Sequence, residues 1–486
     1  MTRTGDVYRD GLKDGRNVFI DGGRVDDVGS HKAFRGAVES IAGLYDLTHD
    51  PASRDLLTFP SPTTGERVNV AYMIPRSTED LISRRKGLRR WSESTFGLMG
   101  RTPDHVAGFL AGFAAGIDLF ESVNKDHADN VLKFYEWARD TDQYVSYVIV
   151  PPQIDRSRPA HQQEDPFLYA GVKEERDDGI VIRGAQMLGT GAAISDWILL
   201  SSIVPLGDGD ERYANTVVVP VSAPGLKIYA RRSYAAAANS VFDYPLARRY
   251  DESDSLVVFD DVFIPWEHVF VYQSLDLVRD QWWKTPSHVL GNSQAQIRLW
   301  TKLDFLVGIA KAIAEMNGSM NAPPVQGVLG ELASYATMVR SLVLAQEANA
   351  RTDDNGVVWP GVEEVHACSA LQIEIYPRMI AMIRELCGGG LIQLPSSRED
   401  FRDQDIAADI ERYVQSPGMA SQERVKLLKL AWDILGSEFA GRQWQYELFY
   451  AGAPYLVRNR VFRQYDFAPS SALVEEALKR YDIDSE

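Results

Sequence analysis

The sequence predicts an α+β protein built of three consecutive parts: a helical N-terminal region, a small β-barrel or sandwich and a C-terminal four-helix bundle. Two observations carry this. Apolar residues recur at helical spacing up to about residue 144 and again from about residue 286. Between them lie short runs rich in Val, Ile and Phe, set apart by Gly, Asp and Pro with no helix between them. The parts are placed at 1–144, 145–275 and 276–486.

In chain order, Thr102-Pro103-Asp104 is a good helix start, and Asp104 to Ser122 reads as the helix it opens. His127 to Gln143 follows, with Val131, Leu132, Tyr135 and Trp137 at helical spacing. At Tyr144 the texture changes. YVSYVIVPP, GIVIRGAQMLG, DWILLSSIVPL, NTVVVPV, LKIYARRSY and SLVVFDDVFIP read as closely spaced strands, a small barrel or sandwich. Ile297 to Met316, Gly327 to Ala348, Val362 to Leu386 and Ser421 to Leu448 are then long enough for the helices of a bundle.

Composition narrows the function. The chain has 486 residues, 45% of them hydrophobic and 24% charged, enough to bury a core without disulfides or metals. Two cysteines, Cys368 and Cys387, exclude a disulfide scaffold, a four-cysteine zinc site and an all-cysteine iron–sulfur cluster. A net charge of −17 argues against a nucleic-acid partner. Residues 1–30 lack the apolar stretch of a signal peptide, and no run approaches about 18 uncharged apolar residues. A cytoplasmic protein is expected.

The familiar ways of holding a nicotinamide cofactor are missing. There is no GxGxxG, and GTGAAIS at 189–195 sits between strands rather than opening a helix. GNSQA at 291–295 lacks the last Gly of a nucleophile elbow. The eight histidines are scattered without HExxH, so no metal site is expected. A flavin held between a barrel and a bundle stays open.

Several segments could carry chemistry. Arg101 and His105 flank a helix N-terminus, where an anion such as a phenolate or a flavin edge would be favoured; the alternative is a surface cap made by Asp104. Gln153, Asp155 and Arg156 follow a stiff Pro-Pro turn that could present donors to a planar ring and a pyrophosphate, or be an ordinary polar turn. Met187 to Ser195 is a small-residue patch that lets a flat ring approach the backbone, with Thr190 offering a hydroxyl. Gly388, Gly389 and Gly390 close a helix with more glycines than a cap requires. Gly441 to Ala453 is aromatic-rich, either core or the wall of a ring-binding slot.

Together these segments resemble one family over nearly the whole chain, the 4-hydroxyphenylacetate 3-hydroxylases. These are the oxygenase components of two-component, reduced-flavin-dependent aromatic monooxygenases. The resemblance rests on YRDGLKDGRNVFIDGGRV, FGLMGRTPDH, PPQIDR, MLGTGAA, FDDVFIPWEHVF, GGGLIQLPSSREDF and FAGRQWQYELFYAG, in that order and spacing. It implies the acyl-CoA dehydrogenase-like fold and a homotetramer. It also implies FAD, reduced by a separate flavin reductase, and O2 as co-substrate. In the implied reaction a flavin C4a-hydroperoxide forms and the carbon ortho to a phenolate takes its distal oxygen.

The resemblance assigns residues as well. Arg101 falls by substrate and flavin. The position usually held by Tyr is His105, and the strand position often held by His is Tyr147, so the two roles look exchanged. Gln153, Ile154, Asp155 and Arg156 match the flavin-binding loop. Thr190 matches a Thr near the isoalloxazine, and Tyr450, Ala451, Gly452 and Ala453 match the C-terminal flavin loop. Gly388 to Gly390 are expected near the adenosine or pyrophosphate end of FAD, across a subunit interface. Some chlorophenol-type members carry a His just before the first bundle helix; here that stretch reads Asn292-Ser293, with His288 upstream.

With His105, the run YVSYVIVPPQIDR looks most like the branch that hydroxylates a (chloro-)β-tyrosine unit tethered to a peptidyl carrier protein in enediyne antibiotic biosynthesis. Other readings are a free-phenol hydroxylase acting on 4-hydroxyphenylacetate or chlorophenol, an acyl-CoA dehydratase-like relative, and a non-catalytic bundle protein. The dehydratase relative needs cluster cysteines, and none precedes Cys368.

Overall fold

The structure, a computed structural model, describes residues 2–482. Its N-terminal part holds α1 (Arg35–Leu47), α2 (Thr78–Glu93), α3 (Pro103–Ala115) and α4 (Lys125–Asp140) as its longer helices. Local chemistry sets where they start. The Ser77 hydroxyl accepts from the Asp80 N–H while the Asp80 carboxylate takes the Ser77 N–H, a capping box that opens α2. Pro103 is the first residue of α3, where a missing N–H costs nothing. Every residue of α3 is buried, so this helix has no solvent face.

The β-rich part is two sheets. The strands are β1 (Val18–Ile20), β2 (Gly23–Arg24), β3 (Val145–Val148), β4 (Gly171–Arg176), β5 (Gly179–Gln186), β6 (Trp197–Leu200), β7 (Thr216–Pro220), β8 (Leu226–Ala230), β9 (Ser255–Pro265) and β10 (Val269–Val271). Six run in the order β2-β1-β8-β9-β5-β4 and four in the order β10-β7-β6-β3. Pairing is antiparallel except β1 with β8 and β3 with β6. Their inward residues, among them Ile180, Ile182, Val257 and Phe259, are fully buried.

The C-terminal part is α5 (Ser287–Met316), α6 (Pro323–Ala348), α7 (Val362–Cys387), α8 (Ser421–Leu435) and α9 (Glu438–Phe449), followed by α10 (Pro454–Gln464) and α11 (Ala468–Leu478). By length and composition α6 is apolar enough to cross a membrane, at mean hydropathy 1.3. It nevertheless carries Glu331 and Arg340 and packs against α5 and α7. The N-terminal part meets the bundle where α3 crosses α5. A Cβ on Gly112 would lie 2.1 Å from the Ser287 Cα, so only glycine permits this approach.

The elements depart from the sequence reading in four places. The N-terminal region is not purely helical, because β1 and β2 extend the larger barrel sheet. β4 was missed: GVKEER is an edge strand whose exposed charges hide its period and blunt the edge. The helix expected over 104–122 breaks at Gly116. The helix expected over 421–448 breaks at Gly436, and the Ser437 hydroxyl then caps a new helix by accepting from the Ala440 N–H.

Candidate active site

The site is built from all three parts. Arg101 and His105 sit at the start of α3, Tyr147 on β3, Thr190 on the turn after β5, Gln294 on α5 and Tyr446 on α9. Arg101, His105, Val145, Tyr147, Leu188 and Thr190 line one recess. The structure thus brings together Arg101, His105, Tyr147 and Thr190.

Arg101 is buried and held on every side. Its backbone N–H donates to Glu252 Oε1 at 2.6 Å, and its carbonyl accepts from the Tyr144 hydroxyl at 2.5 Å. Its Nη1 donates to the Tyr446 hydroxyl at 2.8 Å. The guanidinium lies 5.3 Å from the Tyr147 ring centre and 5.2 Å from that of Tyr446. Burial works against its charge, but Tyr147, Tyr446 and Glu252 outweigh it and hold the pKa above its ordinary value. Gly100 makes room for this arrangement, since a Cβ there would be 2.2 Å from the Tyr446 hydroxyl.

His105 is 2% exposed. Its Nδ1 is 2.9 Å from Gln294 Oε1 and its Nε2 is 3.4 Å from the Tyr147 hydroxyl. Its ring packs edge-on against Phe109. Burial, reinforced by the Arg101 charge and more weakly by Arg298, pushes its pKa well below 6.5, with only the Gln294 bond opposing. His105 is therefore neutral at neutral pH. It is not the surface residue that a simple helix cap would make it.

Thr190 donates to Asp254 Oδ1 at 2.7 Å. Arg442 reaches across from α9 to Asp254 and Glu252, so one guanidinium ties the bundle to the barrel loop that holds both Thr190 and Arg101. Burial would raise the Asp254 carboxyl, but Arg442 and Arg231 bring it well below the carboxylate range.

The other predicted residues lie outside the recess. Gln153, Ile154 and Arg156 are exposed, on the loop that follows the pairing of Val150 with Met187 at the recess edge. The Asp155 carboxylate is taken up by Ser157 and Arg158. Tyr450 is half-buried, stacks on Tyr446 and lies 3.4 Å from the Ser369 hydroxyl. The Ala451 carbonyl accepts from Arg460, and Gly452 and Ala453 lead into α10. Gly388, Gly389 and Gly390 follow the far end of α7, roughly 28 Å along the helix from Ser369 at 1.5 Å per residue. Nothing stands within 4 Å of where a Cβ would sit on Gly388 or Gly389. His288 pairs with His366, their Nε2 atoms 3.2 Å apart, rather than with His105.

Sequence reasoning missed Gln294, Glu252 and the part Tyr446 plays in holding Arg101. Gln294 lay in the GNSQA stretch, which drew attention only as a failed nucleophile elbow. Tyr446 was visible only as one aromatic among several.

A helical region, a two-sheet barrel and a bundle in this order make the acyl-CoA dehydrogenase-like fold. An oxygen-tolerant archaeal 4-hydroxybutyryl-CoA dehydratase shares this fold at TM-score 0.90 and 21% identity, with 100% of this chain and 97% of that one covered. Within that class the chain belongs to the 4-hydroxyphenylacetate 3-hydroxylase family: the family's N-terminal model matches residues 4–271 and its C-terminal model residues 278–479. It is 36% identical to a 4-hydroxyphenylacetate 3-monooxygenase oxygenase component of Pseudomonas aeruginosa, over 95% of this chain and 89% of that one. It is 35% identical to a (3S)-3-amino-3-(3-chloro-4-hydroxyphenyl)propanoyl-[peptidyl-carrier protein] monooxygenase of Streptomyces globisporus, over 92% and 85%. The crystal structure of the oxygenase component HpaB of 4-hydroxyphenylacetate 3-monooxygenase, complexed with FAD and 4-hydroxyphenylacetate, superposes at TM-score 0.93 with 32% identity, covering 99% of this chain and all of that one.

Proposed function

We propose that the chain is the oxygenase component of a two-component monooxygenase that uses reduced FAD and O2 to hydroxylate a phenol ortho to its hydroxyl. The observation that carries this is the recess itself, where a neutral imidazole, a fixed guanidinium and a tyrosine hydroxyl meet around one cavity. A phenol has a pKa of about 10 and must lose its proton to become a carbon nucleophile. His105 Nε2 accepts that proton. Arg101 stabilises the phenolate oxygen by a charge-assisted hydrogen bond, and Tyr147 orients the ring. Phe109 and Val145 help keep water out.

The residues present fit a flavin. The recess combines apolar walls, the Tyr147 phenol and a permanent cation, which suits a flat, anionic ring. Thr190 lines it, the loop bearing Gln153 and Arg156 follows the strand that carries Tyr147, and the Tyr450 ring lies 6.0 Å from the Arg101 guanidinium. Bound reduced FAD would supply, with O2, the electrophilic oxygen. Gly388 to Gly390, set at the far end of α7 from Ser369, are assigned to the cofactor of a neighbouring subunit in a homotetramer. A separate flavin reductase would supply the electrons.

For the substrate, we favour a (chloro-)β-tyrosine unit tethered to a peptidyl carrier protein in an antibiotic pathway of the enediyne kind. Identity alone does not separate the readings, because the Pseudomonas and Streptomyces relatives are equally similar. The exchanged pair His105 and Tyr147 favours the tethered branch. The free-phenol reading keeps support from the Pseudomonas relative and from a 4-nitrophenol 2-monooxygenase oxygenase component of Rhodococcus at 34% identity. The deciding experiment incubates the protein with enzymatically reduced FAD, O2 and a panel of free and carrier-bound tyrosines, 4-hydroxyphenylacetate and chlorophenol. A gain of one oxygen atom confined to carrier-bound tyrosines is expected. Turnover of the free phenols alone would select the second reading, and no oxygen gain in any would reject both.

A further inference from the structure

We propose that Gln294 is a positioning residue that fixes the tautomer of His105, so that Nε2 faces the recess as a proton acceptor. The inference rests on the proposed role of His105 and adds how that role is secured. The two ring nitrogens of a neutral imidazole are not equivalent: one carries the proton and the other the lone pair. With Asp104 as the carboxylate, the chain of contacts sets one order. Asp104 Oδ2 accepts from Gln294 Nε2 at 3.0 Å. Asp104 Oδ1 accepts from the Thr102 hydroxyl. Burial pushes the Asp104 carboxyl above its ordinary range, against the pull of the Thr102 and Gln294 bonds, its own helix-start N–H and the more distant Arg84. With its amide nitrogen turned to an acceptor, Gln294 presents Oε1 to His105 Nδ1, 2.9 Å away. An oxygen that only accepts requires Nδ1 to carry the hydrogen, so the lone pair is on Nε2, beside Tyr147 and the recess.

A carboxylate in direct contact with the imidazole would raise its basicity and favour the imidazolium. The intervening amide relays orientation without placing a full charge on the ring. The charged and titratable groups facing His105 are Arg101 and Asp104 from its own helix, Arg298 from α5 and Tyr147 from β3. Arg84 of α2 stands behind Asp104, and Tyr446 of α9 behind Arg101. Gln294 is itself fully buried, 2% exposed, so its two bonds are not shared with solvent.

The test reads the tautomer directly. Nitrogen-15 NMR of histidine-labelled apoprotein, assigned by the signals lost in His105→Ala, should show Nδ1 protonated and Nε2 bare at pH 7.5. In Gln294→Leu the Nδ1 preference should disappear, and product formed per reduced FAD should fall on the order of 10²-fold. Gln294→Glu keeps an acceptor at the same place. It should retain Nδ1–H while moving the acid limb of the pH–coupling profile to higher pH, since its carboxylate stabilises the imidazolium. Should Gln294→Leu not fold, the wild-type tautomer and the Gln294→Glu profile still decide. A wild-type spectrum with the proton on Nε2 would overturn the proposal while leaving the hydroxylase reading standing. So would a Gln294→Glu profile that does not move. If the tautomer is as stated but no phenol is oxygenated, the reading of function fails and the proposal falls with it.

Discussion

Two buried polar clusters share helix α5 and end differently. One turn beyond Gln294, Arg298 donates through Nη1 and Nη2 to Glu447 Oε1 and Oε2, each at 2.8 Å. Lys302 adds a bond to Glu447 at 2.6 Å, and Gln372 and Gln443 complete the group. These side chains are 0–1% exposed. Burial opposes every charge, yet Arg298 and Lys302 hold the Glu447 carboxyl below its usual range, while burial brings the Lys302 amine down to about 8. The other cluster, Asp104–Gln294–His105, stops at a nitrogen that meets the Tyr147 hydroxyl at 3.4 Å, on the wall of a recess. The first closes its charges on themselves and fastens α5 to α9. The second ends on an acceptor met by the Tyr147 hydroxyl at the recess wall. Equal burial and the same helix thus give a charge cluster closed on itself in one case and, on the proposed reading, a proton acceptor in the other.

The sharpest way to break the comparison is Glu447→Ala. It strands two cations in a dry interior and should cost about 3–5 kcal/mol of stability in urea unfolding. A loss below about 1 kcal/mol would show that the cluster is not a fastener. Arg101→Ala should leave the fold largely intact, lower hydroxylation on the order of 10²-fold, about 2.7 kcal/mol, and raise KM for the phenol. If only stability changed, Arg101 would belong with the first cluster.

A smaller effect tests burial without function. Burial, aided by Arg460, holds His366 at about 4, against 6.5 for an ordinary imidazole. A depressed imidazole contributes stability that is complete above about pH 6.5 and is lost as pH falls towards 4, at about 1.4 kcal/mol per pH unit. His366→Gln should flatten the dependence of urea midpoint on pH across that window; a profile parallel to wild type would mean that His366 does not titrate there. The least effect is expected from Tyr147→Phe, a loss of about tenfold or less in hydroxylation, because an orienting hydroxyl is worth about 1 kcal/mol. A loss as large as that of Arg101→Ala would make the hydroxyl part of the proton transfer.

Much of this was legible in the residues. The change from helical to strand texture at Tyr144 marks where the barrel sheets take over, and GRTPDH announces a helix start carrying Arg101 and His105. What stayed hidden depends on distance along the chain. Nothing local distinguishes Gln294 on a buried helix, since its partner His105 lies in another part of the sequence. Glu252 binds the Arg101 backbone across a similar gap. The bulge between Phe259 and Val262 and the charged edge strand β4 were masked because their periods are broken. The recess is lined by the N-terminal part and the barrel and braced from the bundle by Gln294 and Tyr446, and each part reads alone as packing.

The measurement that tests the account most directly is the ratio of hydroxylated product to H2O2 for wild type and His105→Ala, with reduced FAD and the phenol identified above, across pH 6 to 9. The account predicts that His105→Ala forms on the order of 10²-fold less product at pH 7.5 and releases more H2O2, with reduced-FAD affinity little changed, and that the deficit narrows as pH approaches the phenol's own pKa of about 10. An unchanged ratio across the whole range would contradict it and return His105 to the ranks of buried packing.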